Sequence, residues 1–123
     1  MYLVFDIGTS AVKGALLGED GRARRTVRSP VGLYRGGGEA AWEAEPSEWW
    51  DALADCARQL KPPAGADIRA AAVSGNGPTL VPTDGRGQPV SRAISWMDRR
   101  ARFQADRVSA LLGFSLDPSF YLP

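Results

Sequence analysis

Residues 2–17 read YLVFDIGTSAVKGALL, which is two apolar runs joined by a turn of small residues. The first run, residues 2–5, consists of strand-forming residues and ends at Asp6 and Gly8, which is typical of a strand buried on both faces. The second run, residues 12–17, begins directly after the turn. Two apolar runs at this separation predict a tight antiparallel hairpin, and the rest of the fold is built outward from it.

Further strands extend this hairpin into a sheet. A Glu-Asp-Gly reverse turn at residues 19–21 leads into a third strand over residues 23–29, so the chain opens as a three-stranded antiparallel meander. The short alanine-rich run at residues 68–74 predicts a fourth strand in the interior, beside the first three. Two strong turn signals within residues 75–97 predict a hairpin inserted beside the sheet. We therefore expect an α/β fold with a mixed sheet.

Two helices are predicted to flank the sheet. Residues 46–60 begin with Pro-Ser, a favourable helix start, and carry apolar side chains at i, i+3 and i+4 spacing. A second helix is predicted over residues 98–112, with Gly113 as its C-terminal cap. The glycine-rich segment 30–38 is predicted to be a mobile loop. The apolar positions predicted to pack the first helix on the core are Trp49, Trp50, Leu53, Ala57 and Leu60.

Composition excludes several classes of function. The chain has 123 residues, the size of one domain but small for an enzyme that encloses two substrates. Its formal net charge of +1 indicates neither a nucleic-acid nor a membrane partner. A single cysteine and no histidine exclude an internal disulfide and histidine catalysis, and argue against a zinc site. No apolar run approaches about 20 residues, so a soluble cytoplasmic protein is expected.

The turn between the first two strands carries residues suited to phosphate binding. Glycine lets the backbone approach an anion, N–H groups and hydroxyls donate to phosphate oxygens, and a lysine adds a positive charge. An aspartate at the end of a buried strand suits Mg²⁺ held through water. A plain hairpin with a solvated lysine explains the same spacing equally well. The candidate phosphate-binding residues are Asp6, Gly8, Thr9, Ser10 and Lys13, with Asp6 also the candidate metal ligand.

Four stretches of the sequence together resemble one family. Residues 6–14 resemble the first phosphate motif of the actin-like ATPase superfamily, and in particular of the FGGY carbohydrate kinases. Residues 43–50 resemble that family's acidic-proline segment before a paired tryptophan, and residues 72–76 resemble its fourth-strand motif. Residues 93–101 resemble its Trp-x-Asp-x-Arg segment, which is the most specific of the four. The similarity covers nearly the whole chain.

This resemblance implies a ribonuclease H-like, actin-like fold and an ATP-dependent kinase acting on a sugar or polyol hydroxyl, most similar to xylulokinase. ATP and Mg²⁺ would lie in a cleft between two lobes, with the sugar in the first lobe. The family's catalytic base and its adenosine-binding lobe lie beyond Pro123. The chain is therefore expected to be the N-terminal part of the first domain, an incomplete domain inactive by itself, whose partner is the remaining lobe. The oligomeric state stays open, a homo-oligomer included.

The resemblance also implies a sugar site at Trp96, Asp98, Arg100 and Asn76, within and after the inserted hairpin. The alternatives are that Trp96 is a core residue and that Asp98 caps the following helix, with Arg99 a solvated neighbour. Gly-Asn-Gly-Pro at residues 75–78 departs from the family, whose members carry longer polar side chains there. Ser119 stands where glycerol kinase has a substrate-binding tyrosine, which argues against glycerol.

The sequence leaves two other functions open. One is a non-catalytic module that binds a nucleotide or a partner through the same superfamily fold, and an exposed apolar tail over residues 114–123 would favour it. The other is an actin-like or chaperone-type ATPase, against which the Trp-x-Asp-x-Arg segment argues.

Overall fold

The computed structural model describes residues 1–114, and it divides into two compact units. The first unit comprises Met1–Gly32 and Ser47–Asn76, and the second comprises Leu33–Pro46 and the chain from Gly77 onward. The predicted apolar tail after Phe114, including Ser119, lies outside the described residues. In chain order the elements are β1 (Tyr2–Ile7), β2 (Ala11–Leu17), β3 (Ala23–Pro30), β4 (Tyr34–Arg35), β5 (Trp42–Ala44), α1 (Pro46–Leu60), β6 (Ala70–Ser74), β7 (Ala93–Ile94) and α2 (Arg102–Leu112).

The sheet of the first unit has the order β3-β2-β1-β6. Strands β1 and β2, and likewise β2 and β3, pair antiparallel, which confirms the predicted meander. The fourth strand, β6, joins the other edge of β1 and runs parallel to it. The mixed sheet expected from the sequence is therefore present.

Helix α1 covers one face of this sheet. Its buried side chains are Ala52, Cys56 and Leu60, spaced so that they lie on one stripe of the helix. They form a common core with Phe5, Val12 and Leu16 of the first two strands. The prediction that Trp50 belongs to this stripe is wrong, because its side chain is 70% exposed. One step of about 100° around the helix takes Trp50 off the buried stripe, whereas Leu53 and Ala57 pack against the core as predicted.

The opposite face of the sheet is more open than the sequence indicated. In β1 only Phe5 is buried, although the apolar run predicted burial on both faces. All five residues of β6 are exposed, whereas an interior strand was expected. Among residues 1–114, no element pairs with the free edge of β6, and α1 packs on the other face of the sheet.

The second unit contains a small antiparallel sheet with the order β4-β5-β7. Its first strand, β4, lies in the glycine-rich segment predicted to be a loop, so that prediction is wrong at Tyr34 and Arg35. The arms of the hairpin before β7 are joined by the bridges Leu80↔Ile94 and Thr83↔Pro89. Helix α2 ends at Gly113, whose φ of 74° and N–H bond to the Ser109 carbonyl confirm the predicted cap. Neither described helix has the length and apolarity needed to cross a membrane.

Cys56 is expected to be chemically inert in the folded chain. It is 0% exposed, and its thiol donates to the Val12 carbonyl over 3.4 Å. Burial raises the pKa of this thiol above its ordinary 9.0, since it disfavours the thiolate, and the nearby Asp55 charge acts in the same direction. A disulfide reagent at pH 8 should therefore label the native chain at least about 100-fold more slowly than the urea-unfolded chain. Equal labelling rates would contradict this packing.

Candidate functional site

The hairpin between β1 and β2 brings an acidic and a basic side chain together. Asp6 lies near the end of β1, and its register partner across the strand pair is Lys13 of β2. The Lys13 ammonium lies 3.5 Å from an Asp6 carboxylate oxygen, and the two side chains are 63% and 50% exposed. An ion pair this open is held weakly, so both groups are free to engage a ligand.

The turn of this hairpin is tight and requires glycine at its start. The Gly8 N–H donates to the Ala11 carbonyl over 2.9 Å. A Cβ atom at Gly8 would lie 2.9 Å from that same oxygen, closer than such atoms come in proteins. Thr9 and Ser10 form the bend between them, with Ser10 exposed. The bend is thus exposed at Ser10, where an anion could approach.

An open groove of about 640 Å³ lies over the sheet at this point. Five polar side chains line it, together with the apolar surface of the strands: Asp6, Lys13, Thr26, Arg28 and Ser74. Within residues 1–114 no cluster of three or more acidic, cysteine or histidine side chains could hold a metal unaided. A Mg²⁺ ion held by the Asp6 carboxylate would therefore take its remaining ligands from phosphate and water, as this ion commonly does. The residues present fit a phosphate chain with its Mg²⁺.

In the second unit, the Trp-x-Asp-x-Arg segment is organised around a buried carboxylate. Asp98 is 1% exposed. It accepts the Trp42 backbone N–H at 2.9 Å and the Arg100 backbone N–H at 2.9 Å. The Arg100 guanidinium also donates to both Asp98 oxygens, at 2.8 to 3.1 Å. Asp98 is thus saturated with bonds from the protein itself.

The charges around Asp98 stabilise one another. Burial by itself raises the pKa of the Asp98 carboxyl, but hydrogen bonds from Arg100 and from the Trp42 N–H outweigh it, so the pKa lies below 3.8. The same contacts, with the Glu43 carboxylate 3.0 Å from the guanidinium, raise the pKa of Arg100. Arg100 therefore bridges two carboxylates while its side chain stays 40% exposed.

Trp96 lies between two residues, Ser95 and Asp98, that are hydrogen-bonded to Trp42 of β5. The Ser95 N–H donates to the Trp42 carbonyl at 3.0 Å, and the Trp42 N–H in turn donates to Asp98. The Trp96 side chain between these attachments is half-buried. Asp98 is not the cap of α2, because the residue at that position is Ala101, which makes no side-chain capping bond. Arg99 is also more than a solvated neighbour, since it is half-buried and its N–H donates to the Ala40 carbonyl.

The residues named from the sequence divide between the two units. The phosphate candidates lie on one hairpin of the first unit, and half-buried Asn76 closes that unit after β6. Trp96, Asp98 and Arg100 belong to the second unit.

Comparison with known proteins identifies the family. The model of the FGGY family of carbohydrate kinases, N-terminal domain, matches residues 1–115. The chain belongs to the FGGY family of carbohydrate kinases. Within this FGGY chain the β1–β2 hairpin and the Trp-x-Asp-x-Arg segment both lie in the matched region.

Relatives of this FGGY chain include kinases of two substrate classes. It is 34% identical over 111 residues to a xylulose kinase of Streptomyces rubiginosus, covering 90% of this chain and 20% of the relative. It is 33% identical over 105 residues to a glycerol kinase of Coxiella burnetii, covering 80% of this chain and 20% of the relative. The chain thus spans about a fifth of the length of these curated relatives.

A solved structure shows the fold of the FGGY chain. The xylulose kinase of Rhodospirillum rubrum superposes with a TM-score of 0.81 at 22% identity, over 89% of this chain and 23% of that one. The neighbours are FGGY kinases with the actin-like ATPase fold, so the fold class expected from the sequence is confirmed, and the chain is a partial domain.

Sequence reasoning missed several residues of these two sites in the FGGY chain. Glu43 lies within the acidic-proline segment that pointed to the family, but its contact with Arg100 could not be read from that motif. Trp42 and Ser95 take part through backbone groups, for which the sequence carries no signal. Arg28 is exposed on β3 and lines the same groove as Lys13, which only the strand register reveals.

Proposed function

We propose that this chain provides the phosphate-binding hairpin and part of the sugar site of an ATP-dependent, xylulokinase-like carbohydrate kinase. Such an enzyme transfers the γ-phosphoryl group of ATP to a hydroxyl of a sugar or polyol. The observation that carries this proposal is the solvent-open Asp6–Lys13 pair, 3.5 Å apart, beside a turn that only glycine fits. Membership of the FGGY family of carbohydrate kinases supports the reaction class.

On the nucleotide side, the hairpin residues have distinct roles. Lys13 offsets the charge of the phosphate oxygens, while the turn N–H groups and the hydroxyls of Thr9 and Ser10 donate hydrogen bonds to them. Asp6 holds Mg²⁺, through water, at the end of β1. The bound Mg²⁺ supplies charge neutralisation on the phosphates during transfer. Positioning and charge stabilisation are the main catalytic contributions in such a reaction.

On the sugar side, Trp96 packs its ring on the C–H face of the substrate, and Arg100 bonds its hydroxyls. Asp98 belongs to this site as the group that holds Trp96 and Arg100 in place, because its oxygens already accept bonds from Trp42 and Arg100. Similarity to the xylulose kinases supports a ketose as the acceptor.

Activity is expected to need chain beyond these 123 residues. The relatives are about five times as long as the matched region. The fully exposed β6 supports the view that the remaining lobe of the same protein packs beside this sheet. The 123-residue chain should therefore bind Mg-ATP without phosphorylating a sugar.

The second candidate is a non-catalytic module that binds a nucleotide or a partner, with which the exposed edge strand β6 is equally compatible. Calorimetric titration with Mg-ATP, and then with a panel of pentuloses and polyols, separates the two candidates. The titration is done on the 123-residue chain and on a longer product that includes the remaining lobe. Sugar phosphate formed by the longer product alone supports the kinase. Nucleotide binding without turnover in both supports the module, and turnover by the 123-residue chain contradicts the proposed inactivity.

Replacing Asp6 with asparagine tests the phosphate site through its dependence on Mg²⁺. With Mg²⁺ present, Asp6→Asn should weaken ATP binding about tenfold, because the cation loses its anchoring carboxylate. With EDTA, the same variant should bind ATP at least as tightly as the unchanged chain, because a carboxylate that repels phosphate has been removed. Titration calorimetry under both conditions measures the reversal.

The matched control is Asp67→Asn, which removes the same charge from a side chain that is 86% exposed. Asp67 lies beside Met1, at the opposite end of β1 from Asp6. Its replacement should leave both affinities unchanged within about twofold. Equal effects of the two variants would show that overall charge, not a site at Asp6, governs ATP binding.

A further inference from the structure

A row of four polar side chains crosses the sheet of the first unit in register. Arg28 of β3 is the partner of Lys13 in β2, Lys13 is the partner of Asp6 in β1, and Asp6 is the partner of Ser74 in β6. Side chains alternate between the two faces of a sheet, so register partners share a face. Because Phe5 and Val12 point into the core under α1, the row lies on the opposite face. All four side chains line the same open groove.

The charges in this row do not balance. Two cations, Lys13 and Arg28, stand directly opposite each other on neighbouring antiparallel strands, with one carboxylate beside them. Like charges in that arrangement are destabilising. The Arg28 side chain makes no hydrogen bond or ion pair with any of residues 1–114, whereas the Arg24 side chain on the same strand bonds Asp20 at 2.8 Å. The row therefore has one positive charge in excess, on the side of Lys13 away from Asp6.

An anion lying across Lys13 and Arg28 would relieve this imbalance. A guanidinium is suited to the task because it presents a planar fork of donors that matches two oxygens of one phosphate group. Nothing in the family resemblance assigns a role to Arg28. The simplest other explanation is an arginine that only keeps the edge of β3 from pairing with other strands.

We propose that Arg28 is a second cationic residue of the phosphate site, binding the polyphosphate chain of the nucleotide jointly with Lys13. This inference rests on the proposed nucleotide binding and extends it by one residue. In this arrangement Mg²⁺ is held on the Asp6 side of the row, and only cationic side chains lie on the Arg28 side. The ligand chemistry is a chain of at least two linked phosphates, since the row spans adjacent strands about 5 Å apart.

The test compares Arg28→Gln with Arg25→Gln. Both residues are exposed on β3, and both replacements remove one positive charge. Arg25 is the register partner of Leu16, which lies in the core, so its side chain belongs to the other face of the sheet. Mg-ATP and inorganic tripolyphosphate are titrated separately, at low and moderate salt. Circular dichroism and urea unfolding establish that both variants are folded.

Arg28→Gln is expected to weaken the binding of both probes about tenfold, and Arg25→Gln less than about twofold. Arg28→Lys should recover only part of the affinity, since a point charge replaces the fork. Equal small effects of the two glutamine variants, with Asp6→Asn still altering Mg-ATP binding, would overturn the role of Arg28 and leave the kinase proposal standing. If tripolyphosphate binding depends on Arg28 but the longer product does not phosphorylate a sugar, the role of Arg28 stands and the kinase proposal is overturned. An unchanged chain that binds neither probe overturns both.

Discussion

Replacing Asp98 with alanine is expected to lower the free energy of unfolding by about 2–4 kcal/mol at pH 7. The change removes the acceptor of the Trp42 N–H and one of the two carboxylates that hold Arg100. The loss of stability that arises at Arg100 is limited, because its side chain is 40% exposed and keeps its contact with Glu43. Urea unfolding followed by tryptophan fluorescence measures the difference, since Trp42 and Trp96 flank the site.

Asp106→Ala is the matched control for this variant. Asp106 lies in α2 of the same unit and is exposed, so its loss should change stability by no more than about 0.5 kcal/mol. If Asp98→Ala were as stable as Asp106→Ala, the buried bonds of Asp98 would contribute nothing to the fold.

The pH dependence of the Asp98 contribution has a definite sign. In the folded chain the pKa of the Asp98 carboxyl is held below 3.8. Asp98 therefore contributes its full stabilisation wherever the carboxylate is charged in both the folded and the unfolded chain. The stability difference between the unchanged chain and Asp98→Asn should stay constant from pH 7 down to about 5. It should shrink as the pH falls further, through the folded-state pKa. Urea unfolding of both chains across this range checks the trend.

The parts of the fold that could be predicted from the sequence depend on neighbours along the chain. The β1–β2 hairpin follows from two apolar runs around a short turn, and α1 from a start signal and helical spacing. Trp50 escaped this reasoning because two adjacent tryptophans cannot both lie on a narrow buried stripe. Strand β4 escaped it because glycines usually indicate a loop, whereas Tyr34 is held by pairing with Glu43.

The candidate sites show the same division between local and distant contacts. The candidate phosphate residues lie within one hairpin, so their proximity could be predicted from the sequence. The role of Asp98 depends on Trp42, which is 56 positions away in the chain, and no local pattern indicates that contact. Arg28 depends on the register of β3 against β2, which is set by the whole strand pair. The contacts that sequence reasoning missed therefore join residues that are far apart in the chain.

Gly8→Ala is expected to weaken Mg-ATP binding about 100-fold while leaving most of the stability intact. The new Cβ would lie 2.9 Å from the Ala11 carbonyl oxygen, and Ala11 is only 2% exposed, so the strand cannot yield. The turn between them must move instead, which takes Thr9 and Ser10 out of reach of the phosphates. Losing two charge-assisted hydrogen bonds of about 1.4 kcal/mol each corresponds to this factor.

Gly37→Ala is the control for this substitution, because a Cβ there meets nothing within 4 Å and Gly37 does not have a positive φ. Its affinity for Mg-ATP should match that of the unchanged chain within about twofold. Titration calorimetry gives the affinities, and urea unfolding separates a displaced turn from an unfolded chain. A Gly8→Ala chain that binds Mg-ATP normally would mean that the nucleotide does not use this turn.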